Sequence, residues 1–205
     1  MIVVVDYGVG NVQSFLSLYK RAGINCERAS TARELETATH LILPGVGHFD
    51  HAMKKLQESG LVQMLERLVM IQKIPILGIC VGMQMLSSYS EEGSLPGLNW
   101  IPGVVRQFSN STSSKLPMPH MGWNTVKPTS NSILFDKDLL PKFLEFYFLH
   151  SYYFVPTDYN HIAAETKYGI EFCSAISKDN IHGIQCHPEK SHDAGVEFLK
   201  RFSEL

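Results

Sequence analysis

An α/β domain built on a mainly parallel sheet is what this 205-residue sequence predicts, and two features carry the prediction. Two short runs, at residues 2–5 and 75–79, lack the polar alternation of a half-exposed strand and suit strands covered on both faces, and a further strand is expected at 40–43. Between them lie segments whose apolar residues recur at helical spacing, so strand and helix take turns as in βαβ units.

The β-branched run at 2–5 ends in the turn-rich stretch Asp6-Tyr7-Gly8-Val9-Gly10-Asn11. A helix over 12–21 follows, with Phe15, Leu16, Leu18 and Tyr19 as its apolar stripe and Ala22-Gly23 as its stop. The alternation then gives a strand at 25–29, a helix at 32–36, a strand at 40–43, helices at 49–58 and 61–72, and a strand at 75–79 running directly into a helix at 82–88. Beyond Glu91 the texture changes. Pro and Gly cluster at 95–103, residues 109–114 form a polar loop, and short strands are expected at 104–106, 124–127, 143–149, 162–166, 172–177 and 182–186. An amphipathic helix over 193–202 closes the chain. With no internal repeat and no linker, the sequence predicts one domain over 1–205 whose second half is mixed or antiparallel.

Composition narrows the function classes. A chain of this length buries roughly 70% of its unfolded surface, so its core needs no staple. Lys plus Arg is 18 against 20 for Asp plus Glu, a formal charge of -2, which sets aside a nucleic-acid binder relying on phosphate contacts. Cys26, Cys80, Cys173 and Cys186 lie far apart without a CxxC, which argues against a disulfide framework or zinc knuckle and for a reducing, cytoplasmic setting. The first residues lack a basic leader region, and no apolar run approaches the roughly 18 residues of a spanning helix, so no membrane association is expected.

Chemistry concentrates at three places. Gly78-Ile79-Cys80-Val81-Gly82 joins the strand at 75–79 to a helix, as a nucleophile elbow does: a tight turn strains its central residue and glycines relieve the crowding. Cys80 would stand beside the amides of the next helix, whose partial positive charge favours thiolate, and the Val81 amide would help hold an oxyanion. By itself the pentapeptide fits equally a small buried cysteine packed by glycines. In Gln185-Cys186-His187-Pro188-Glu189, an extended chain would put His187 and Glu189 on one side, where the carboxylate can orient the imidazole. A Cys, a His and an acid are the nucleophile, base and orienter of thiol-based acyl transfer, although the tripeptide alone reads as a surface turn. Pro44-Gly45-Val46-Gly47 follows the strand at 40–43, and its glycines let an amide turn inward as a second oxyanion donor.

No Lys-Ser/Thr pair follows those glycines and no GxGxxG opens the first helix, so no nucleotide or flavin cofactor is expected. His48 and His51, like His182 and His192, lack an evident third ligand. No metal is expected there, and Asp50 suits a solvated helix start. The aromatic run from Phe143 to Phe154 reads as sheet core and edge.

In order and spacing, the glycine strand Pro44-Gly45-Val46-Gly47, the elbow continuing to Gln84, and His187-Pro188-Glu189 resemble the class I (triad) glutamine amidotransferases over nearly the whole chain. Within that family, Asp6-Tyr7-Gly8-Val9-Gly10-Asn11, Met121-Gly122-Trp123-Asn124 and His187-Pro188-Glu189-Lys190-Ser191 are most similar to the glutaminase subunits of imidazole glycerol phosphate synthases. The resemblance implies a doubly wound, flavodoxin-like domain that hydrolyses L-glutamine to glutamate and ammonia without a cofactor. By position it implies Cys80 as nucleophile, His187 as base and Glu189 as its orienter. It implies Gly45, Val46 and Gly47 as an oxyanion strand that can rearrange, and Gln84, Ser151 and Tyr152 as contacts to glutamine. It further implies a (βα)8-barrel cyclase partner in histidine biosynthesis, which takes the ammonia through its interior and meets Asn11, Trp123, Asn124 and Lys190.

Three other readings stay open. A paralogous glutaminase could feed amidino-sugar synthesis for surface polysaccharides, an option left by residues 109–115 and Leu98-Asn99-Trp100. The chain could be a stand-alone cysteine hydrolase, or a non-catalytic binding module. An exposed apolar patch around Trp123 would favour a partnered enzyme over a stand-alone one.

Overall fold

The computed structural model describes residues 1–108, 116–130, 132–135 and 144–205. Its first half alternates as expected: β1 (Ile2–Val5), α1 (Val12–Arg21), β2 (Cys26–Ala29), α2 (Ala32–Leu35), β3 (His40–Gly45), α3 (Phe49–Glu58), α4 (Val62–Glu66), β4 (Ile76–Cys80) and α5 (Val81–Met85). The second half is strand-rich: β5 (Tyr89–Ser90), β6 (Gly103–Gln107), β7 (His120–Pro128), β8 (Leu144–His150), β9 (Tyr152–Pro156), β10 (Ile162–Tyr168), β11 (Ile170–Lys178) and β12 (Ile181–Ile184), before α6 (His192–Phe202).

Strands β2, β1, β3, β4 and β12 lie side by side in that order, all parallel. Every residue of β1, β4 and β12 is buried, as cover on both faces requires. From β12 outward the pairing turns antiparallel through β11, β10, β7 and β8. A side branch runs from β11 to β9 and β6, and β6 pairs with β5. The sheet is mixed and open, as the sequence predicts.

Helices supply the cover. The Asn11 side chain accepts the Ser14 amide hydrogen to cap α1, which buries Phe15, Leu18 and Tyr19. The Tyr19 hydroxyl donates to the Leu199 carbonyl and so ties the first helix to the last. Helix α3 buries Phe49, Ala52, Met53 and Leu56 and packs beside α5. None of the helices among the described residues is long and apolar enough to cross a membrane.

Several expected boundaries move for local reasons. The helix expected over 61–72 is α-helical to Glu66 and finishes as a π-turn, Arg67–Ile71. The one expected over 82–88 is a short helix, because the Ser88 amide is taken by the Gly103 carbonyl at 3.0 Å and the chain leaves for β5. Strand β12 stops at Ile184, two residues early. Strand β7 begins at His120 rather than 124, its alternation hidden by Gly122. Strands β5 and β9 are unanticipated: the first has two residues, and only Ser151 separates the second from β8, so the aromatic run reads as one segment. Phe146, Phe148 and Phe154 are fully buried, as that run suggested. The polar loop expected at 109–114 and the first residue of the strand expected at 143–149 lie outside the described residues.

Candidate active site

The carboxyl ends of β3 and β4, with the chain leaving β12, meet at one edge of the parallel sheet, where open α/β sheets hold their ligands. Gly45 ends β3 opposite Cys80, the last residue of β4. A Cβ on Gly45 would collide with the Gly82 nitrogen, and one on Gly82 would collide with the Leu43 carbonyl oxygen. With α5 pressed onto β3 in this way, the turn leaves Cys80 at φ +55° and ψ -114°, a conformation that a side-chain-bearing residue keeps only where its surroundings impose it.

After β12 the chain passes through Gln185 and Cys186 to His187, whose amide donates to the Tyr147 carbonyl at 2.8 Å. The Ser191 hydroxyl donates to the His187 carbonyl at 2.6 Å and accepts the Tyr147 amide hydrogen at 3.0 Å, so His187 is pinned to β8. The extended segment expected between His187 and Glu189 is instead a tight 3-10 turn, Pro188–Lys190, with the fixed torsion of Pro188 at its start. That turn brings Glu189 Oε1 within 2.8 Å of His187 Nδ1. Both side chains are only 4% accessible. Burial by itself lowers the imidazole pKa, but hydrogen bonds to Cys80 and Glu189, with their charges, outweigh it and raise His187 to about 10. The balance favours the protonated ring. Burial pushes the Cys26 thiol up to about 12 and raises those of Cys173 and Cys186 as well.

A cleft of about 410 Å³ opens over Cys80, lined by Val46, Gly47, Val81, Gln84, Ser151, Tyr152, His187 and Lys190 among others. Buried Gln84 donates through Nε2 to the Tyr152 carbonyl at 3.1 Å and to Gln185 Oε1 at 3.0 Å. Gln185 Nε2 in turn points at the Cys80 sulfur from 3.8 Å. The Tyr7 hydroxyl donates to the Pro44 carbonyl at 2.6 Å and anchors the glycine strand. Thus the nucleophile, base and acid candidates come together, and the oxyanion and glutamine-contact candidates surround the same space, with Gly45 packed behind Cys80.

The family model for glutamine amidotransferase class-I matches residues 3–204. The chain belongs to that family. Among relatives of this amidotransferase, the imidazole glycerol phosphate synthase subunit HisH of Bdellovibrio bacteriovorus is 53% identical over 206 residues, and subunit HisH 2 of Pseudomonas aeruginosa is 45% identical over 205, each alignment covering 100% of both chains. A crystal structure of a glutamine amidotransferase superposes with a TM-score of 0.73 at 18% identity, covering 99% of this chain and 100% of that one, a likeness of fold.

On the amidotransferase's β7–β8 ribbon, Met121 pairs with Leu149 and Trp123 with Tyr147. Met121, Trp123 and Leu149 are 64%, 47% and 38% exposed, an apolar face continuous with the cleft, which Leu149 also lines. The Trp123 ring lies parallel to His192 at 5.0 Å, and the Lys190 ammonium sits 5.7 Å over the Tyr147 ring. Asn124 lies on the opposite side of the strand, half-buried, where its amide reaches His120 Nε2 at 3.1 Å. Asn11 is exposed, and its side chain caps α1.

Sequence reasoning missed three groups. Gln185 stands two residues before His187, a spacing that could have flagged it. Glu92 lines the cleft and accepts the Phe49 amide hydrogen at 2.8 Å; burial raises its carboxyl against the lowering effect of that bond and of His48. Its Glu91-Glu92 pair reads as a solvated acidic run, so no sequence signal marked it. His120 and His150 are buried and carried no signal either. Asp50 lies in the first turn of α3, as expected of a helix start, and its carboxylate also accepts the Ser94 and Leu95 amide hydrogens, while His48 Nδ1 accepts the Asp50 amide hydrogen to cap the helix.

Proposed function

We propose that this chain is the glutaminase subunit of an imidazole glycerol phosphate synthase, hydrolysing L-glutamine at Cys80 and handing the ammonia to a barrel cyclase subunit in histidine biosynthesis. The observation that carries the reading is a strained cysteine beside a buried His187–Glu189 pair, in a chain 53% identical throughout to a subunit of that name. Four unpaired cysteines agree with a reducing cytoplasm.

In this mechanism Glu189 holds His187 Nδ1, which leaves Nε2 to serve the sulfur. The Cys80 thiolate attacks the glutamine carboxamide carbon, and the tetrahedral oxyanion takes hydrogen bonds from the Val81 amide and the strand of Gly45, Val46 and Gly47. His187 gives its proton to the departing nitrogen as the C–N bond breaks, which releases ammonia and leaves a glutamyl thioester. The now neutral imidazole takes a proton from water, hydroxide adds to the thioester, and glutamate leaves as the thiolate reforms. Each oxyanion donor stabilises the transition state by about 3 kcal/mol, so one peptide of the glycine strand turning over changes the rate on the order of a hundredfold. Glutamine arrives as a zwitterion. Glu92 is the carboxylate among the lining residues and takes the α-ammonium end, while Gln84, Ser151 and Tyr152 hold the rest.

The exposed face of Met121, Trp123 and Leu149 is the surface for the cyclase, with Asn11 and Lys190 beside it, while Asn124, on the other side of β7, supports that strand from within. Its continuity with the cleft gives ammonia a protected exit. Running the assembled complex on glutamine labelled with 15N in the side-chain amide tests the reading. The label is expected in the imidazole product. Labelled ammonia released with none in the ring would assign the ammonia to another acceptor, and no thioester on Cys80 after acid quenching would remove the mechanism.

A further inference from the structure

Ending in the cleft wall at His150 and Tyr152, three side chains and one carbonyl form an unbroken line of hydrogen bonds that this mechanism does not use. Asn124 Nδ2 lies 3.1 Å from His120 Nε2, His120 Nδ1 lies 2.9 Å from His150 Nε2, and His150 Nδ1 lies 2.8 Å from the Tyr152 carbonyl oxygen. The proton positions follow by elimination. A carbonyl only accepts, so His150 Nδ1 carries hydrogen. If that ring is neutral its Nε2 is an acceptor, and the hydrogen between the rings belongs to His120 Nδ1. His120 Nε2 is then left as the acceptor for the Asn124 amide. Asn124 cannot be turned over without loss: its Oδ1 accepts the Thr125 amide hydrogen at 2.8 Å, and its Nδ2 also donates to the Lys167 carbonyl at 3.1 Å.

The surroundings keep both rings neutral. His120 stacks against Phe148 and Tyr168, with centroids 4.8 Å and 4.0 Å away, and His150 lies 5.3 Å from both Phe108 and Phe172. Burial lowers His120 to about 4 and is the main cause that lowers His150 to about 3. Reversing the line would set a bare Nδ1 against the Tyr152 oxygen at 2.8 Å, acceptor facing acceptor. That oxygen also accepts from Gln84, whose amide leads through Gln185 to the Cys80 sulfur.

We infer that His150 is a positioning residue of the glutamine cleft, held by His120 and Asn124 in the one tautomer that locks the Tyr152 carbonyl and, through it, the Gln84 amide. Its effect on glutamine rests on the glutaminase reading, whereas its tautomer rests on geometry alone.

Nitrogen NMR of the imidazoles in the 15N-labelled full chain reads the tautomers without any variant. At neutral pH both His120 and His150 are expected with hydrogen on Nδ1 and none on Nε2; either ring charged, or protonated at Nε2, overturns the relay. Kinetics of the chain with its cyclase test the positioning role. His150→Leu removes the donor and should raise KM for glutamine about tenfold with a smaller change in kcat. His150→Asn, whose Nδ2 can take the place of Nδ1, should recover most of that loss. Equal KM values in the two variants, or a wild-type KM in His150→Leu, overturn the positioning role. If His150→Leu does not fold, Asn124→Leu should raise KM in the same direction, and an unchanged KM counts against the proposal. Failure of the wild-type complex to turn over glutamine is a different result: it removes the glutaminase reading, while the spectrum still decides the tautomers.

Discussion

At Cys80 a strained backbone conformation and the buried His187–Glu189 contact beside it have to be maintained together. The residue sits at φ +55° because α5 is pressed onto β3, and the thiol that projects there meets an imidazole whose other nitrogen is held by a buried carboxylate. The sign of the His187 shift sets how stability follows pH. Its folded pKa of about 10 stands above the ordinary 6.5, so the stability it contributes is complete below about pH 6.5 and is lost as pH rises toward 10. Denaturant unfolding of wild type and His187→Gln should show a stability difference that shrinks between neutral pH and pH 10; a constant difference would contradict the raised His187 pKa. Glu92 supplies a second prediction at this scale. Glu92→Gln should raise KM for glutamine by about tenfold or more, because a hydrogen bond to a charged group becomes a neutral one, with little change in kcat. An unchanged KM would place the α-ammonium group elsewhere.

Among the elements, the elbow depends on how closely β3, β4 and α5 approach one another. Gly82→Ala drives a methyl group into the Leu43 carbonyl, and such overpacking should destabilise the fold by about 1–3 kcal/mol, seen as a lower Tm in calorimetry. A variant as stable as wild type would show that the elbow is looser than described. Much of this geometry was legible in the sequence. The runs at 2–5 and 75–79 are apolar without a break because both faces of those strands are covered, and the glycines at 45, 78 and 82 mark where backbone meets backbone. What was hidden depended on long-range partners. The His187–Glu189 contact was anticipated for an extended chain, yet a 3-10 turn makes it, and that turn is held by Tyr147 and Ser191. Glu92 enters the cleft because its carboxylate is drawn to the Phe49 amide, 43 positions away in sequence. His120 and His150 pair across β7 and β8, a register that the single sequence did not reveal.

For the whole molecule, the parallel half carries Cys80 while the antiparallel half carries the apolar face, and the chain between and beyond them closes the cleft. An exposed Trp flanked by Met121 and Leu149 suits the centre of an interface. Trp123→Ala should weaken binding to the cyclase by about 30-fold, read by calorimetric titration, and an unchanged Kd would move the interface off β7–β8. Coupling across that face is the central claim, and glutamate release from glutamine tests it most directly, measured for the chain alone and then with the barrel cyclase and its nucleotide ligand. The account predicts slow release alone, strong activation by the liganded cyclase, and a loss on the order of a thousandfold or more in Cys80→Ala. Release that ignores the cyclase, or that survives Cys80→Ala, would contradict it.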